Sequence, residues 1–291
     1  DLTALLADDA KQWARIADQV REIRKKFGAD APGGARRTAV ETAPEIEDIP
    51  LDAMIEREPV TVICSRNGWI RALKGHVALD AEQKFRDGDG PRFAFHAETT
   101  DKLLLLSASG RLYTLGVDKL PGGRGMGEPV RLMIDLGQGD EIVALERHQP
   151  GTRRLVASTA GDGFVVLEDD LVAQTRAGRQ VLNLAGQAKA AVFAPVAGDH
   201  VAVVGENRRL LVFPLEELPQ MGRGKGVRLQ KYKDGGLSDA IAFERAAGLS
   251  WLDPAGRRRV VAGEELAEYV GRRGSAGRMA PRGFPRNNRF G

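Results

Sequence analysis

The sequence is poor in the groups that usually carry catalysis or base stacking. Among 291 residues there are one cysteine, four histidines, three tyrosines and three tryptophans. The single cysteine, Cys64, excludes an internal disulfide framework and fits a reducing compartment. It sits in the apolar run Val60-Thr-Val-Ile-Cys64 and is expected to pack as a small buried hydrophobe. His76, His96, His148 and His200 are scattered without ligand spacing, which argues against a zinc or iron site. No Ser-His-Asp or paired-carboxylate arrangement can be drawn from spacing. Aromatic residues make up only 5%, so stacking on single-stranded bases is not the expected mode of recognition. No apolar run approaches the roughly 18 residues of a membrane span, and Asp1-Leu2-Thr3 lacks the basic and apolar regions of a signal peptide. The missing initiator Met and the abrupt helical opening are those expected of a piece of a longer protein.

Acids are missing in one place. From Arg272 to Gly291 there are six arginines and no Asp or Glu. The formal charge of the whole chain is only +3, but residues 1–57 hold 9 basic and 12 acidic groups and the rest 34 and 28. A basic lobe with an arginine-rich end favours nucleic acid or another acidic surface.

Residues 1–27 read as a helix. Trp13, Ile16, Val20, Ile23 and Phe27 fall at alternating intervals of 3 and 4, a seam of about two heptads that must dock on a partner helix. Lys25, Lys26 and Gly28 make a suitable ending. Residues 28–57 read as an extended linker, with Pro32-Gly-Gly34, Arg36-Arg37-Thr38 and an acidic run to Pro50.

From residue 58 to 271 the pattern is β. Short apolar strands flank tight turns at Asn67-Gly68, Ser109-Gly110, Asp162-Gly163, Asn207-Arg208 and Ala255-Gly256, spaced 42, 53, 45 and 48 residues apart. A β unit of this length points to propeller blades. After the second strand of units two to five comes an acid followed by Leu: Asp118-Lys-Leu120, Asp170-Leu171, Glu217-Leu218 and Glu265-Leu266. Seven to eight residues beyond each Leu lies an Arg/Gly corner: Arg124-Gly-Met-Gly127, Arg176-Ala-Gly178, Arg223-Gly-Lys-Gly226 and Arg272-Arg-Gly274. The first unit ends instead in Lys74-Gly75-His76, and the fifth is weakened by three arginines in its second strand.

These corners are the candidate site. Glycine lets backbone approach a phosphate and a flanking cation neutralises it. The bland alternative is a set of turns needing positive φ, with cations kept for solubility. Recurrence in register favours a common ligand, and a rim of spaced arginines suits a long polyanion. The residues expected to face it are Arg71, Lys74, His76, Arg124, Arg176, Arg179, Arg223, Lys225, Arg228, Arg272 and Arg273. Gly122-Gly-Arg-Gly-Met-Gly127 and Gly222-Arg-Gly-Lys-Gly226 lack the Gly-Lys-Ser/Thr ending and the βαβ setting of nucleotide loops. Residues 272–291 read as an Arg-rich tail, either a flexible arm following a phosphate backbone or an inert disordered end.

The run Glu56-Arg-Glu-Pro-Val-Thr-Val-Ile-Cys-Ser-Arg-Asn-Gly-Trp-Ile-Arg-Ala-Leu-Lys-Gly-His76 resembles the opening blade of the C-terminal domains of bacterial topoisomerase IV A subunits, in the type IIA topoisomerase family. Gly110-Arg-Leu-Tyr113, Arg124-Gly-Met-Gly-Glu-Pro129, Asp170-Leu-Val-Ala173, Arg176-Ala-Gly178 and Leu211-Val-Phe-Pro-Leu-Glu-Glu-Leu-Pro219 extend the likeness from about Arg36 to Leu229. The first helix is similar to the one that leaves the coiled-coil arm of that family's cleavage core.

The resemblance implies a mainly β fold, a β-pinwheel of about five strand-exchanging blades preceded by an α-helix and linker. It implies double-stranded DNA bent along a basic edge, with no catalytic role, no cofactor and no small-molecule substrate in this fragment. Partners would be the upstream core and the ATPase B subunit in an A2B2 holoenzyme, with ATP and Mg²⁺ used by other domains. The setting would be a bacterial cytoplasm at the nucleoid, or the periphery of the inner membrane, in decatenation and relaxation during chromosome segregation. Tyr113, Tyr232 and Tyr269 lie in no matching catalytic motif. The gyrase relatives carry a Gln-Arg-Arg-Gly-Gly-Lys-Gly box in their first blade, absent here after Lys74-Gly75-His76, which favours bending over tight wrapping. A gyrase-like wrapping domain and a propeller scaffold for protein partners remain the alternatives.

Overall fold

The computed structural model describes residues 2–34, 55–123, 125–253 and 255–291. Most of the expected linker, Arg36-Arg37-Thr38 included, and Arg124 of the first corner lie outside the described residues. The chain divides into two compact units, Asp1–Pro50 and Leu51–Gly291.

The first unit carries two helices where the apolar spacing predicts one, α1 (Leu2–Leu6) and α2 (Asp9–Phe27). Asp8 causes the break. Its carboxylate accepts the backbone N–H of Ala10 at 3.0 Å and of Lys11 at 3.3 Å, an N-cap that starts a new helix. Arg24, Lys25 and Lys26 occupy the last turn, and Gly28 N donates to Arg24 O at 2.7 Å. The stripe of Trp13, Ile16, Val20, Ile23 and Phe27 is exposed.

The second unit is mainly β. A hairpin of β1 (Pro59–Ser65) and β2 (Trp69–Lys74) is followed by β3 (Pro91–Glu98). Next come β4 (Lys102–Ser107), β5 (Arg111–Gly116), β6 (Glu128–Pro129) and β7 (Ile142–Arg147). The third round supplies β8 (Arg153–Ser158), β9 (Asp162–Leu167), β10 (Arg179–Gln180) and β11 (Ala190–Pro195). The fourth supplies β12 (His200–Gly205), β13 (Arg209–Pro214), β14 (Val227–Arg228) and β15 (Leu237–Phe243). The last elements are β16 (Leu249–Leu252), β17 (Arg258–Val261), α3 (Gly263–Ala267) and β18 (Arg278–Met279).

Four sheets of four strands result, ordered β3-β1-β2-β6, β7-β4-β5-β10, β11-β8-β9-β14 and β15-β12-β13-β18, with β16-β17 as a two-stranded fifth unit. The fourth strand of every complete sheet comes from the chain that follows the next unit's hairpin. Each blade is therefore closed by its successor.

Strands with both faces buried read as unbroken apolar runs, and Leu103-Leu-Leu-Leu106 shows why. Leu103 and Leu105 pack with Val62, Cys64 and Ile70 of the first sheet. Leu104 and Leu106 pack with Val156, Phe164 and Val166 of the third, as the two-residue period of a strand requires. Val201 and Val203 likewise face the third sheet, while Ala202 and Val204 face the fifth unit. Cys64 is buried as expected, and burial pushes its thiol up to about 12.

The strands β3, β7, β11 and β15 touch one another in series and so converge on the axis of the array. The exchanged strands β6, β10, β14 and β18 lie at the opposite margin of their sheets. They form the outer edge.

Three expectations need correction. The third hairpin turns at Ala160-Gly161, where Gly161 N donates to Ser158 O at 2.8 Å, and Asp162-Gly163 already belongs to β9. Among the described residues the expected fifth blade is a two-stranded hairpin of β16 and β17. Residues 272–291 are neither a loose arm nor a disordered end. They contribute β18, and Phe284 and Phe290 pack with Trp251, their buried rings 5.2 and 5.4 Å from centroid to centroid in sequence. The Arg208 guanidinium ties this end down, donating to Phe284 O, Pro285 O and Asn288 Oδ1 at 3.0–3.1 Å.

Candidate nucleic-acid interface

Each corner is built by two contacts with the preceding blade. The acidic-Leu steps after β5, β9 and β13 fold as single 3₁₀ turns, Val117–Lys119, Glu168–Leu171 and Leu215–Glu217. Chain leaving these steps then touches the middle of the previous blade's second strand. Ala72 N donates to Pro121 O at 2.9 Å, Val165 N to Pro219 O at 3.0 Å and Val212 N to Tyr269 O at 2.9 Å. In the second blade Thr114 takes this position, its Oγ1 accepting from Ala173 N at 2.8 Å.

The chain next passes through a glycine of positive φ into the exchanged strand. These glycines are Gly127, Gly178, Gly226 and Gly277. A Cβ on any of them would lie under 3 Å from the carbonyl oxygen of Ile70, Leu112, Gly163 or Leu210 respectively. The glycines therefore serve strand exchange, where backbone presses on backbone, rather than contact with a phosphate. In the last unit the equivalent position is Gly277, three residues beyond the expected Gly274.

The corners are also laced to one another. Asp135 N, just past β6, donates to Arg176 O at 2.9 Å, and the Arg176 guanidinium returns a bond to Leu132 O at 2.6 Å. Past β10, Asn183 N donates to Gly224 O at 2.8 Å and Gly224 N to Val181 O at 2.9 Å. Past β14, Gly274 N donates to Leu229 O at 2.8 Å and Lys231 N to Ser275 O at 3.0 Å. The four corners thus follow one another along a single outer edge.

The candidate cations occupy this edge in different states. Arg223 and Arg272 are exposed, and the guanidinium of neither forms a hydrogen bond or ion pair with a described residue. Arg176 is exposed and 3.8 Å from Asp135 Oδ1. Arg179 donates to Asp170 O. Lys225 and Arg228 both reach Asp162, at 3.4 and 2.9 Å, and Arg228 also donates to Ala160 O at 2.7 Å. Arg273 is half-buried, donating to Arg228 O at 2.7 Å with Glu217 4.0 Å away. Lys74 is exposed and pairs with Glu58 at 3.0 Å. His76 stacks on His96, with ring centroids 4.5 Å apart.

Arg71 does not reach the surface. It is 5% exposed, and its guanidinium is used by Gly125 O, Lys84 O and Gln83 Oε1. Buried and committed to three acceptors of its own fold, this guanidinium is not presented to a phosphate on the rim.

Two rim arginines escaped the sequence reading. Arg111 Nη1 donates to Ala177 O at 2.7 Å and Gly178 O at 3.3 Å, and Arg209 Nη1 donates to Gly277 O at 3.0 Å. Both clamp a corner from the strand beneath it. Their shared signal was visible: each is the first residue after its hairpin turn. Beside the second corner, a cleft of about 450 Å³ is lined by Lys102, Thr114, Lys119, Thr175 and Arg176 among others.

Elsewhere the fold offers little chemistry. Tyr113, Tyr232 and Tyr269 are packing residues, and burial raises the hydroxyl pKa of each above its ordinary value. His148 and His200 sit against Asp169 and Asp199 at 3.2 and 2.9 Å. Among the described residues no three His, Cys, Asp or Glu side chains converge as metal ligands.

An array of antiparallel blades, each closed by an outer strand from its successor, defines a propeller of the pinwheel class. The family model described as the DNA gyrase C-terminal domain, beta-propeller, matches residues 101–149 and 199–241, which hold the core strands of the second and fourth sheets. The A subunit of DNA topoisomerase 4 from Caulobacter vibrioides is 46% identical over 298 residues, covering 99% of this chain and 39% of that protein. The Escherichia coli K12 protein of the same name is 30% identical, covering 92% of this chain and 37% of its own length. The solved E. coli ParC C-terminal domain superposes with a TM-score of 0.67 at 29% identity, over 79% of this chain and 96% of that one. A gyrase A C-terminal domain, at 17% identity and a TM-score of 0.56, shares the fold. The chain belongs to this family, the C-terminal domains of the A subunits of topoisomerase 4 and gyrase. It spans about two fifths of the length of the curated relatives it matches.

Proposed function

We propose that the outer edge of the β unit binds and bends double-stranded DNA. In this reading it steers duplex segments for a type IIA topoisomerase whose strand cleavage and ATP hydrolysis reside in other parts of the enzyme. The protein partners are then the upstream core and the B subunit that hydrolyses ATP. Mg²⁺ and ATP are used outside this chain, and the site of action is the nucleoid. The observation that carries this reading is the lacing of successive corners along one margin, with Arg223 and Arg272 exposed and unpaired among the described residues. Cations spaced along a rigid curved edge neutralise successive phosphates without reading bases, which gives affinity with little sequence preference. The mixed ion pairs of the rim leave a moderate grip, suited to bending rather than to tight wrapping.

The test is duplex binding by the 291-residue chain across a salt series. Log K is expected to fall with log salt by about 0.9 for each phosphate neutralised. Changing Arg223 and Arg272 together to Glu is expected to weaken binding equally on unrelated sequences. A flat salt response of the unmodified chain would overturn the assignment. Unchanged affinity of the double variant would move the site off this edge.

A further inference from the structure

The four exchange joints are built alike but charged differently, and the third stands apart. The residue that starts the second hairpin strand pairs with the exchanged strand in every sheet: Trp69 with Pro129, Arg111 with Gln180, Asp162 with Arg228, and Arg209 with Met279. Two of these four positions carry an arginine that clamps the corner's own carbonyls. Only the third carries an acid. Asp162 is buried, 4% exposed, and takes Arg228 Nε at 2.9 Å on one oxygen and Lys225 Nζ at 3.4 Å on the other.

We propose that Asp162 is a built-in counterion that weakens the grip of the third corner on DNA. The inference rests on the DNA-binding reading above and refines it. Backbone pairing sets Asp162 directly opposite Arg228, and its side chain is buried at the joint between the two cations. Lys225 and Arg228 keep their heads roughly half exposed and within reach of a ligand, but each already faces a carboxylate oxygen. A phosphate at this corner competes with that carboxylate and meets its negative charge nearby. Fewer counterions are displaced on binding, and each cation contributes less than a free one. Arg223, three residues before Gly226 in the same corner, has no such partner among the described residues. The third corner therefore holds one strong contact and two restrained ones.

Asp162→Asn keeps the side-chain shape and removes the charge. With a fluorescent duplex and the whole chain, it is expected to tighten binding at least about threefold at moderate salt. The salt slope should steepen by up to about 1.8, the value for two further phosphates matched. A second comparison leaves Asp162 intact and so does not depend on that variant folding. Arg223→Gln is expected to lower the slope by about 0.9, and Lys225→Gln by less than half as much. Equal losses from these two, or an Asp162→Asn affinity that is unchanged or weaker, overturns the inference while DNA binding itself stands. A flat salt response of the unmodified chain overturns the parent reading instead.

Discussion

The first four sheets and the fifth unit all start from a two-stranded hairpin, yet only the four reach a complete blade. Each complete sheet receives an outer strand from its successor. Among the described residues no strand pairs with the free edge of β17, where exposed Arg258 stands in the place of the buried Ile70, Leu112, Gly163 and Leu210 that accept an exchanged strand elsewhere. Charge on an exposed edge discourages pairing with other chains. The closing segment substitutes for what is missing: Phe284 and Phe290 cover Trp251, Phe290 N donates to Asp239 at 2.9 Å, and Arg208 holds the loop between. A blade in this array is thus a property of two neighbouring units rather than of one stretch of sequence.

The strongest way to break that contrast is to open a core on each side of it. Phe164 is fully buried between the second and third sheets, so Phe164→Ala is expected to cost about 3–5 kcal/mol and lower the melting of the whole β unit. Phe290→Ala should instead act locally. Hydrogen exchange is expected to speed up in β16 and β17 while the first three sheets keep their protection. Equal loss of protection throughout the unit would mean that the fifth hairpin is no separate region at all.

A smaller effect sharpens the same contrast at the backbone. Gly226 and Gly256 share φ values of +80° and +75°, so an alanine at either bears the same left-handed strain of about 1–2 kcal/mol. They differ in surroundings. A Cβ at Gly226 meets the backbone of Gly163, while at Gly256 it meets nothing within 4 Å. Gly226→Ala is expected to cost about 3 kcal/mol once that overlap is added, and to loosen β14 from β9. Matching losses at the two positions in a denaturant titration would remove close approach as the reason for the glycine.

What could be read from the sequence follows from how local each feature is. The hairpins, the acidic-Leu steps and the corner glycines are local, and most appear where their residues predict them. Strand exchange is not local: Glu128-Pro129, Arg179-Gln180, Val227-Arg228 and Arg278-Met279 are too short to show any alternation, and only the resemblance to a known family implied it. Asp162-Gly163 imitates a turn because Asp-Gly is a strong hairpin signal, whereas the true turn, Ala160-Gly161, is a weak one. Arg71 looked like a rim cation because nothing in Trp69-Ile-Arg-Ala-Leu73 shows that residues 83–85 fold over it. In the closing segment, six arginines hid two anchoring phenylalanines.

Acid separates the two regions by the least, and by opposite signs. Asp253 closes the fifth hairpin, and its pKa lies below the usual carboxylate range because the Arg257 backbone N–H bonds to it, with the Ala255 N–H and the Arg257 guanidinium assisting. A depressed carboxyl contributes stability that is present above its unfolded pKa of about 3.9 and lost as pH falls through the folded value. Glu146 lies between the second and third sheets, and burial raises its pKa despite the contact with Arg154. For a raised carboxyl the sign reverses: its unfavourable contribution disappears as pH falls through the folded value. Mild acidification therefore relieves Glu146 first, and stronger acid then removes the support of Asp253. Hydrogen exchange followed down a pH series, corrected for intrinsic rates, is expected to show the fifth hairpin fraying before the four sheets lose protection. In Asp253→Asn the hairpin should start weaker and lose most of that pH dependence. Simultaneous loss in both regions would show that their carboxylates do not act separately.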